Sequence, residues 1–235
     1  MSTRPGCGDP YDTNDPACTA PEDTDGADRL RLHILPRGRR QVRVEIMIVG
    51  TVSSAIWKIS SGRALLASFA FFAVSAALIN GRPFGLPALA EITGGAGILD
   101  MAFTYTPVQA YAMLAALGDA GRAFYLTRIV PLDLIFPLAY TLFYAVTISW
   151  LLSRWLPAES PWMRLNLVPL VAGVADYCEN IGVIAMLLAY PAELYEVAAI
   201  TAVISPIKFT FIAASMLLIL GALAGWAASG LRAGA

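Results

Sequence analysis

Four long apolar segments dominate the hydrophobic pattern of the chain. They cover residues 64–80, 129–152, 167–190 and 198–226. Each is long enough to cross about 30 Å of hydrocarbon as a helix, the first of them only just. A helix is the expected conformation because it satisfies its own backbone hydrogen bonds in lipid. The pattern therefore predicts an all-α fold, a four-helix transmembrane bundle.

The segment between the first two spans, residues 81–128, is too long and too apolar to be a simple connection. Thr106 and Pro107 predict a helix start, with Thr as the N-cap and Pro at the first helical position. Gly118 is suited to end that helix. A second helix is expected to begin near Arg122 and to run into the second span, with a bend at Pro131. We predict that this partly helical loop covers the bundle as a lid.

The composition supports a membrane location. The chain is 57% hydrophobic and 14% charged, with a mean hydropathy of +0.64. Soluble domains carry about 45–50% apolar and about 25% charged residues. The formal net charge of −1 also argues against nucleic acid, since phosphate binding needs a basic face. We therefore expect an integral membrane protein that has membrane lipids as partners and binds no nucleic acid.

Residues 1–46 differ from the membrane domain, which we assign to residues 47–235. They are acidic up to Asp28 and basic from Arg29 to Arg43, and they bury too little apolar surface to offset the entropy of ordering. We therefore expect a disordered cytoplasmic tail. The basic stretch would either anchor the chain to anionic lipids or act as a solvated linker. A start at Met47, which would make the tail an over-predicted start, is a further alternative. We favour the linker or the later start over the anchor.

Histidine and cysteine usage excludes several chemistries from the membrane domain. The one histidine, His33, lies in the tail together with Cys7 and Cys18. Histidine-ligated zinc or haem and Ser-His-Asp or Cys-His catalysis therefore lack their central residue. We expect no cofactor and no metal ion.

Basic residues near the span ends predict the orientation of the chain. One side of the membrane holds five basic residues, and the other side holds three basic residues together with several acidic ones. The two sets are Lys58, Arg63, Arg154, Arg164 and Arg232, and Arg82, Arg122 and Arg128. We expect both termini in the cytoplasm, the loop 81–128 outside and the plasma membrane as the location.

Five polar residues lie inside the predicted spans: Asp133, Asp176, Glu179, Asn180 and Lys208. An ionised group at the bilayer centre costs about 2.5–3.5 kcal/mol on insertion scales, so these residues are expected to face one another. Those at 176, 179 and 180 share one helix face. At 1.5 Å per residue, Glu179 and Lys208 both lie about 15 Å below the outer boundary. We predict an outward-facing polar pocket. The alternative is a set of interhelical contacts, worth about 0.6 kcal/mol each, that only fix the packing.

Two weaker patterns concern possible catalysts. Ser205 and Lys208 have the S-x-x-K spacing of some serine nucleophiles, but this spacing recurs by chance. The tyrosines of the second and third spans, at positions 140, 144 and 177, are expected to pack or to lie at the interface.

Three segments carry a resemblance to a known group of proteins. They are LDMAFTYTPVQAYAMLAALGDAGRAFYL, PLDLIFPLAY and DYCEN, with the patterns D-x4-Y-T-P, L-D-L-x-F-P and D-x2-E-N. The chain resembles, over about residues 64–226, a group of small four-span bacterial membrane proteins that has no assigned activity. The resemblance implies the four-span topology and no reaction. It also implies that two sets of residues belong to the group's pattern: in the lid Asp100, Tyr105, Arg122 and Tyr125, and in the spans Asp133, Asp176, Glu179 and Asn180. Lys208 depends on the residue argument alone.

Three functions fit the pattern of the chain. In the first, the pocket binds a small amphipathic or lipid-like molecule. If the protein were an enzyme, Glu179 and Asp176 would transfer protons in acid–base catalysis, and Lys208 would adjust the pKa of these carboxyl groups. In the second, the same ionisable groups form a proton or ion pathway or part of a transporter. That pathway needs continuity toward the cytoplasm, where residues 142–152 and 216–225 are almost wholly apolar. In the third, the protein is a structural subunit or assembly partner of another membrane protein.

Overall fold

The computed structural model describes residues 37–233, and the chain divides into two units after Met47. Of the first unit the structure describes residues 37–47, which are helical and belong to helix α1 (Arg37–Ile59). The predicted tail is therefore helical from Arg37, and residues 1–36 lie outside the described part. The second unit is Ile48–Ala235.

The second unit is all-α, as predicted, and its described elements follow in this order. They are α2 (Gly62–Ile79), α3 (Leu86–Thr93), a 3-10 turn (Leu99–Met101), α4 (Pro107–Ala116), α5 (Gly118–Phe124), a π-helical turn (Tyr125–Ile129), α6 (Val130–Leu152), a 3-10 segment (Pro161–Leu167), α7 (Val168–Ala189) and α8 (Tyr195–Ala233).

Four stretches of helix are long and apolar enough to cross a membrane. They are Gly62–Ile79, Gly118–Leu152, Pro161–Ala189 and Tyr195–Leu231. Each contains or closely overlaps one predicted span, and together they are what a multi-pass integral membrane protein requires. The apolar part of α1, Met47–Ile59, is shorter than a span.

Helix α4 begins where the sequence places it. The Thr106 side chain accepts a hydrogen bond from the Gln109 amide at 3.2 Å, and the Gln109 side chain accepts one from the Thr106 amide at 2.8 Å. This capping box satisfies two of the amides that every helix start leaves unpaired. Gly118 follows the helix with φ +63°, a left-handed conformation that glycine adopts without strain. The predicted start and end of this helix are confirmed.

The helix that leads into the second span differs from the expectation. It begins at Gly118 rather than near Arg122, and its irregularity is a π-helical turn over Tyr125–Ile129. Pro131 lacks an amide hydrogen and its ring clashes with the carbonyl four residues earlier, at Thr127. The π-helical turn lies directly before this proline, and the Val130 amide donates to the Tyr125 carbonyl, five residues earlier.

The loop between the first two spans is a packed part of the fold. Its side chains share one buried core with α7 and α8, and Leu99, Leu114 and Ile129 are completely buried there. Helix α4 packs on α8, and the 3-10 turn Leu99–Met101 packs on α7. The core of spanning helices is α6, α7 and α8, with α2 packed on α6. The loop therefore covers one end of this bundle.

Candidate functional site

Lys208 lies at the centre of a buried cluster of ionisable groups. Its Nζ lies 2.5 Å from Glu179 Oε2 and 3.7 Å from Asp176 Oδ1, and it donates a 2.9 Å hydrogen bond to the Asp100 carbonyl. Lys208 is 4% exposed and Glu179 is completely buried. A buried ammonium needs such partners because it has lost its hydration. Helix α8, helix α7 and the loop thus meet at this side chain.

Asp176 has a second partner that the sequence analysis assigned to packing. The Tyr140 hydroxyl of α6 donates a 3.0 Å hydrogen bond to Asp176 Oδ2. Tyr140 follows Asp133 by seven residues, or about two helical turns, so both side chains lie on one face of α6. This spacing is the signal that would have found Tyr140.

Asp100 belongs to the cluster and not only to its cover. The Tyr125 hydroxyl donates a hydrogen bond to Asp100 Oδ2, and the backbone carbonyl of Asp100 accepts the bond from Lys208. Burial raises the pKa of the Asp100 carboxyl above its usual value, against the smaller opposing effects of Lys208 and of the Tyr125 hydroxyl. Without a further cation beside it, the Asp100 carboxyl is therefore favoured in its proton-bound form.

Tyr105 is buried beside the same carboxylates. It is 7% exposed, and its hydroxyl has no hydrogen-bond partner among the described residues. Burial raises the pKa of Tyr105, and the negative charges of Glu179 and Asp100 raise it further. The phenol therefore keeps its proton and can donate a hydrogen bond.

Asn180 has a structural partner. Its Nδ2 donates a 3.1 Å hydrogen bond to the backbone carbonyl of Asp133. That carbonyl is free because Pro137, four residues later, has no amide hydrogen to offer. Asn180 therefore supplies the hydrogen bond that the Asp133 carbonyl does not receive within α6. The sequence signal for such a carbonyl is the proline four residues after it. The Asp133 side chain is buried, and no described basic residue lies within ion-pair distance of it.

Arg122 lies outside the cluster, although the resemblance grouped it with the other lid residues. Its guanidinium pairs with Asp119, donates a 2.8 Å hydrogen bond to the Leu114 carbonyl and lies 3.8 Å from the centre of the Tyr190 ring. These contacts fasten α5 to α4 and to the turn after α7. Of the four lid residues, Asp100, Tyr105 and Tyr125 contribute to the cluster.

The S-x-x-K pair is not arranged as a nucleophile with its base. Ser205 donates a 2.6 Å hydrogen bond to the Ala102 carbonyl, whereas the Lys208 ammonium contacts Glu179, Asp176 and the loop backbone. Both side chains instead fasten α8 to the loop segment 99–105.

The cluster is closed in this structure. No ionisable or tyrosine side chain of the cluster is more than 7% exposed. The sequence predicted a pocket open to the outside; the loop segment 99–105 lies against the cluster and covers it. Seven side-chain oxygen atoms are nevertheless buried without a hydrogen-bond partner in the described part of the chain. Six of them belong to the cluster or to Tyr105: Asp100 Oδ1, the Tyr105 hydroxyl, Asp133 Oδ2, Asp176 Oδ1 and both oxygens of Glu179. Of these six, Asp176 Oδ1 and Glu179 Oε2 lie within ion-pair distance of Lys208.

A shallow cavity of about 450 Å³, open to the surroundings of the protein, lies beside Tyr105, between α4 and the loop segment that precedes it. We call it the α4 cavity. Its lining is mainly small and apolar and includes Ala102, Ala112 and Met113. Tyr105 is thus shared between the cavity wall and the surroundings of the cluster.

No three His, Cys, Asp or Glu side chains in residues 37–233 are arranged to hold a metal ion. The chain matches no protein-family model, no curated protein and no solved structure. A function for this chain is therefore inferred from the geometry of the cluster.

Proposed function

We propose that this multi-pass membrane protein binds a small amphipathic or lipid-like molecule at the acidic cluster, by which we mean Asp100, Asp133, Asp176 and Glu179 with Lys208. The observation that carries the proposal is the set of buried oxygen atoms without partners beside a cavity. Each such atom costs about 1–3 kcal/mol of stability, and a bound polar group would recover that cost.

A purely structural role explains only part of the arrangement. The hydroxyls of Tyr125, Tyr140 and Ser205 and the amide of Asn180 all donate across elements, as interhelical contacts do. In a cluster that served packing alone, every carboxylate oxygen would be expected to have a partner. Apolar side chains of similar volume would fill the same space at a lower cost than carboxylates with unpaired oxygens. The unpartnered oxygens therefore favour a site over packing contacts.

The proposal is tested by what remains bound to the purified protein. The protein and its Glu179→Gln variant are purified in the same mild detergent, and bound small molecules are identified by native mass spectrometry and solvent extraction. A molecule retained by the unmodified protein and lost from Glu179→Gln is the expected result. Glu196→Gln changes an exposed carboxylate on the same fold and serves as the matched control.

Two results would overturn the proposal. One is a folded protein that carries no molecule beyond bulk lipid and detergent. The other is a Glu179→Gln variant that retains the same molecule in the same amount. Because the change removes the nearer of the two carboxylates that pair with the buried Lys208, the double variant Glu179→Gln/Lys208→Met is purified in parallel as a neutral version of the Glu179–Lys208 pair.

We also propose that both termini face the cytoplasm, which places the loop 81–128 and the α4 cavity on the outer side of the plasma membrane. The distribution of basic residues at the span ends supports this orientation. A fluorescent protein fused to the C-terminus is expected to fluoresce, and an alkaline phosphatase fused there to stay inactive; the opposite result would reverse the topology.

A further inference from the structure

The charges of the acidic cluster do not balance. It holds four carboxyl groups and one ammonium, that of Lys208, and no other described basic residue forms an ion pair with any of the four. Lys208 neutralises one carboxylate. A buried charge without a partner is too costly to persist, so the remaining carboxyl groups need protons or a cation from outside the chain.

The unpartnered atoms show which hydrogen-bonding groups are missing. Apart from the Tyr105 hydroxyl, these atoms of the cluster are five carboxylate oxygens, at least one from each acidic residue, and a carboxylate only accepts hydrogen bonds. An ammonium group provides three donors and a positive charge. A hydroxyl group provides one donor without charge, and an anionic head group would be repelled. The cluster is therefore complementary to an ammonium.

The α4 cavity fits the rest of such a molecule. Its volume of about 450 Å³ lies within the range of about 300–1,000 Å³ that small-molecule sites have. Its walls at Ala102, Ala112 and Met113 are apolar, and the Gln109 side chain beside them is already bonded to the Thr106 amide. Ala102 and Tyr105 link the two places. Both line the cavity; the Ala102 carbonyl accepts a 2.6 Å hydrogen bond from Ser205, three residues before Lys208 on α8, and the Tyr105 hydroxyl is buried without a partner.

We infer that the molecule bound at the acidic cluster is an aliphatic ammonium compound, with its charged head at Glu179 and Asp100 beside Tyr105 and its hydrocarbon chain in the α4 cavity. This inference rests on the proposed function and specifies its ligand class.

The test compares three probes that have the same chain length and different head groups. They are n-octylamine, which is protonated at neutral pH, 1-octanol and octanoate. Each is titrated into the purified full-length protein, and the dissociation constant is obtained from calorimetry and from the rise in the unfolding temperature. Octylammonium is expected to bind at least about ten-fold more tightly than octanol, because hydrogen bonds to charged groups are the stronger ones. Octanoate is expected not to bind.

Two tryptophan variants of α4 locate the chain of the probe. Ala112 is exposed and lines the cavity, so Ala112→Trp is expected to fill it without disturbing the core. Ala115 is exposed on the same helix and does not line it, which makes Ala115→Trp the matched control. The first variant is expected to weaken octylammonium binding by about ten-fold or more, and the second by less than about two-fold.

Each failure has a separate meaning. Octanol binding as tightly as octylammonium, with the binding lost in Glu179→Gln, would overturn the ammonium assignment and leave the proposed function in place. Equal effects of the two tryptophan variants would overturn the location of the chain. If none of the three probes binds and the purified protein carries no molecule, both the inference and the proposed function fail.

Discussion

Replacement of Lys208 by Met tests how the buried cluster is held together. Met keeps the length of the side chain and removes the ammonium, so Glu179 loses a partner at 2.5 Å and the Asp100 carbonyl loses a hydrogen bond of 2.9 Å. Removing one member of a buried ion pair costs about 3–5 kcal/mol, because the other charge is left without compensation. We expect Lys208→Met to lower the free energy of unfolding by that amount.

The free energy of unfolding is measured by denaturant titration of the purified protein in mixed micelles. The double variant Lys208→Met/Glu179→Gln is expected to recover most of the loss, since it removes the buried charge of Glu179 together with that of its nearest partner. Lys58→Met removes an exposed ammonium from α1 and is expected to change stability by less than about 0.5 kcal/mol. A Lys208→Met variant within about 1 kcal/mol of the unmodified protein would refute the assigned ion pair, as would a double variant with additive losses.

Three further predictions concern other contacts of the site. Because burial raises the pKa of Asp100, the folded chain binds more protons than the unfolded chain above the usual pKa range of Asp, and the unfolding free energy falls as pH rises through that region. Asp100→Asn is expected to flatten this fall, and an unchanged slope of unfolding free energy against pH would contradict it. Tyr140→Phe removes the hydroxyl that donates to the buried Asp176 carboxylate and is expected to lower the free energy of unfolding by about 1–3 kcal/mol. The control, Tyr144→Phe, removes no side-chain hydrogen bond found in the described residues and should cost clearly less in the same unfolding assay. Asn180→Ala is expected to destabilise the protein by about 1–3 kcal/mol. Adding Pro137→Ala should recover part of that loss, because the restored amide can donate to the Asp133 carbonyl. A double-mutant cycle with no coupling energy between the two positions would refute this role of Asn180.

The hydrophobic pattern along the chain determined the spanning helices, because span length and apolar composition are local properties. The start of α4 was equally local, since Thr106, Pro107 and Gln109 interact within one helical turn. The shared depth of Glu179 and Lys208 followed from counting residues along two antiparallel spans, and their side chains lie 2.5 Å apart in the structure.

Only the tertiary structure decided how the site is completed. The loop segment 99–105 contacts the cluster through two hydrogen bonds from α8. Lys208 donates to the Asp100 carbonyl, 108 residues away in the sequence, and Ser205 donates to the Ala102 carbonyl, 103 residues away. Hydrophobic periodicity does not encode such contacts, because they depend on how helices pack and how a loop folds back on them. For the same reason the sequence predicted an open pocket, whereas packing of the loop buried Asp100 and Tyr105 and placed the α4 cavity beside them.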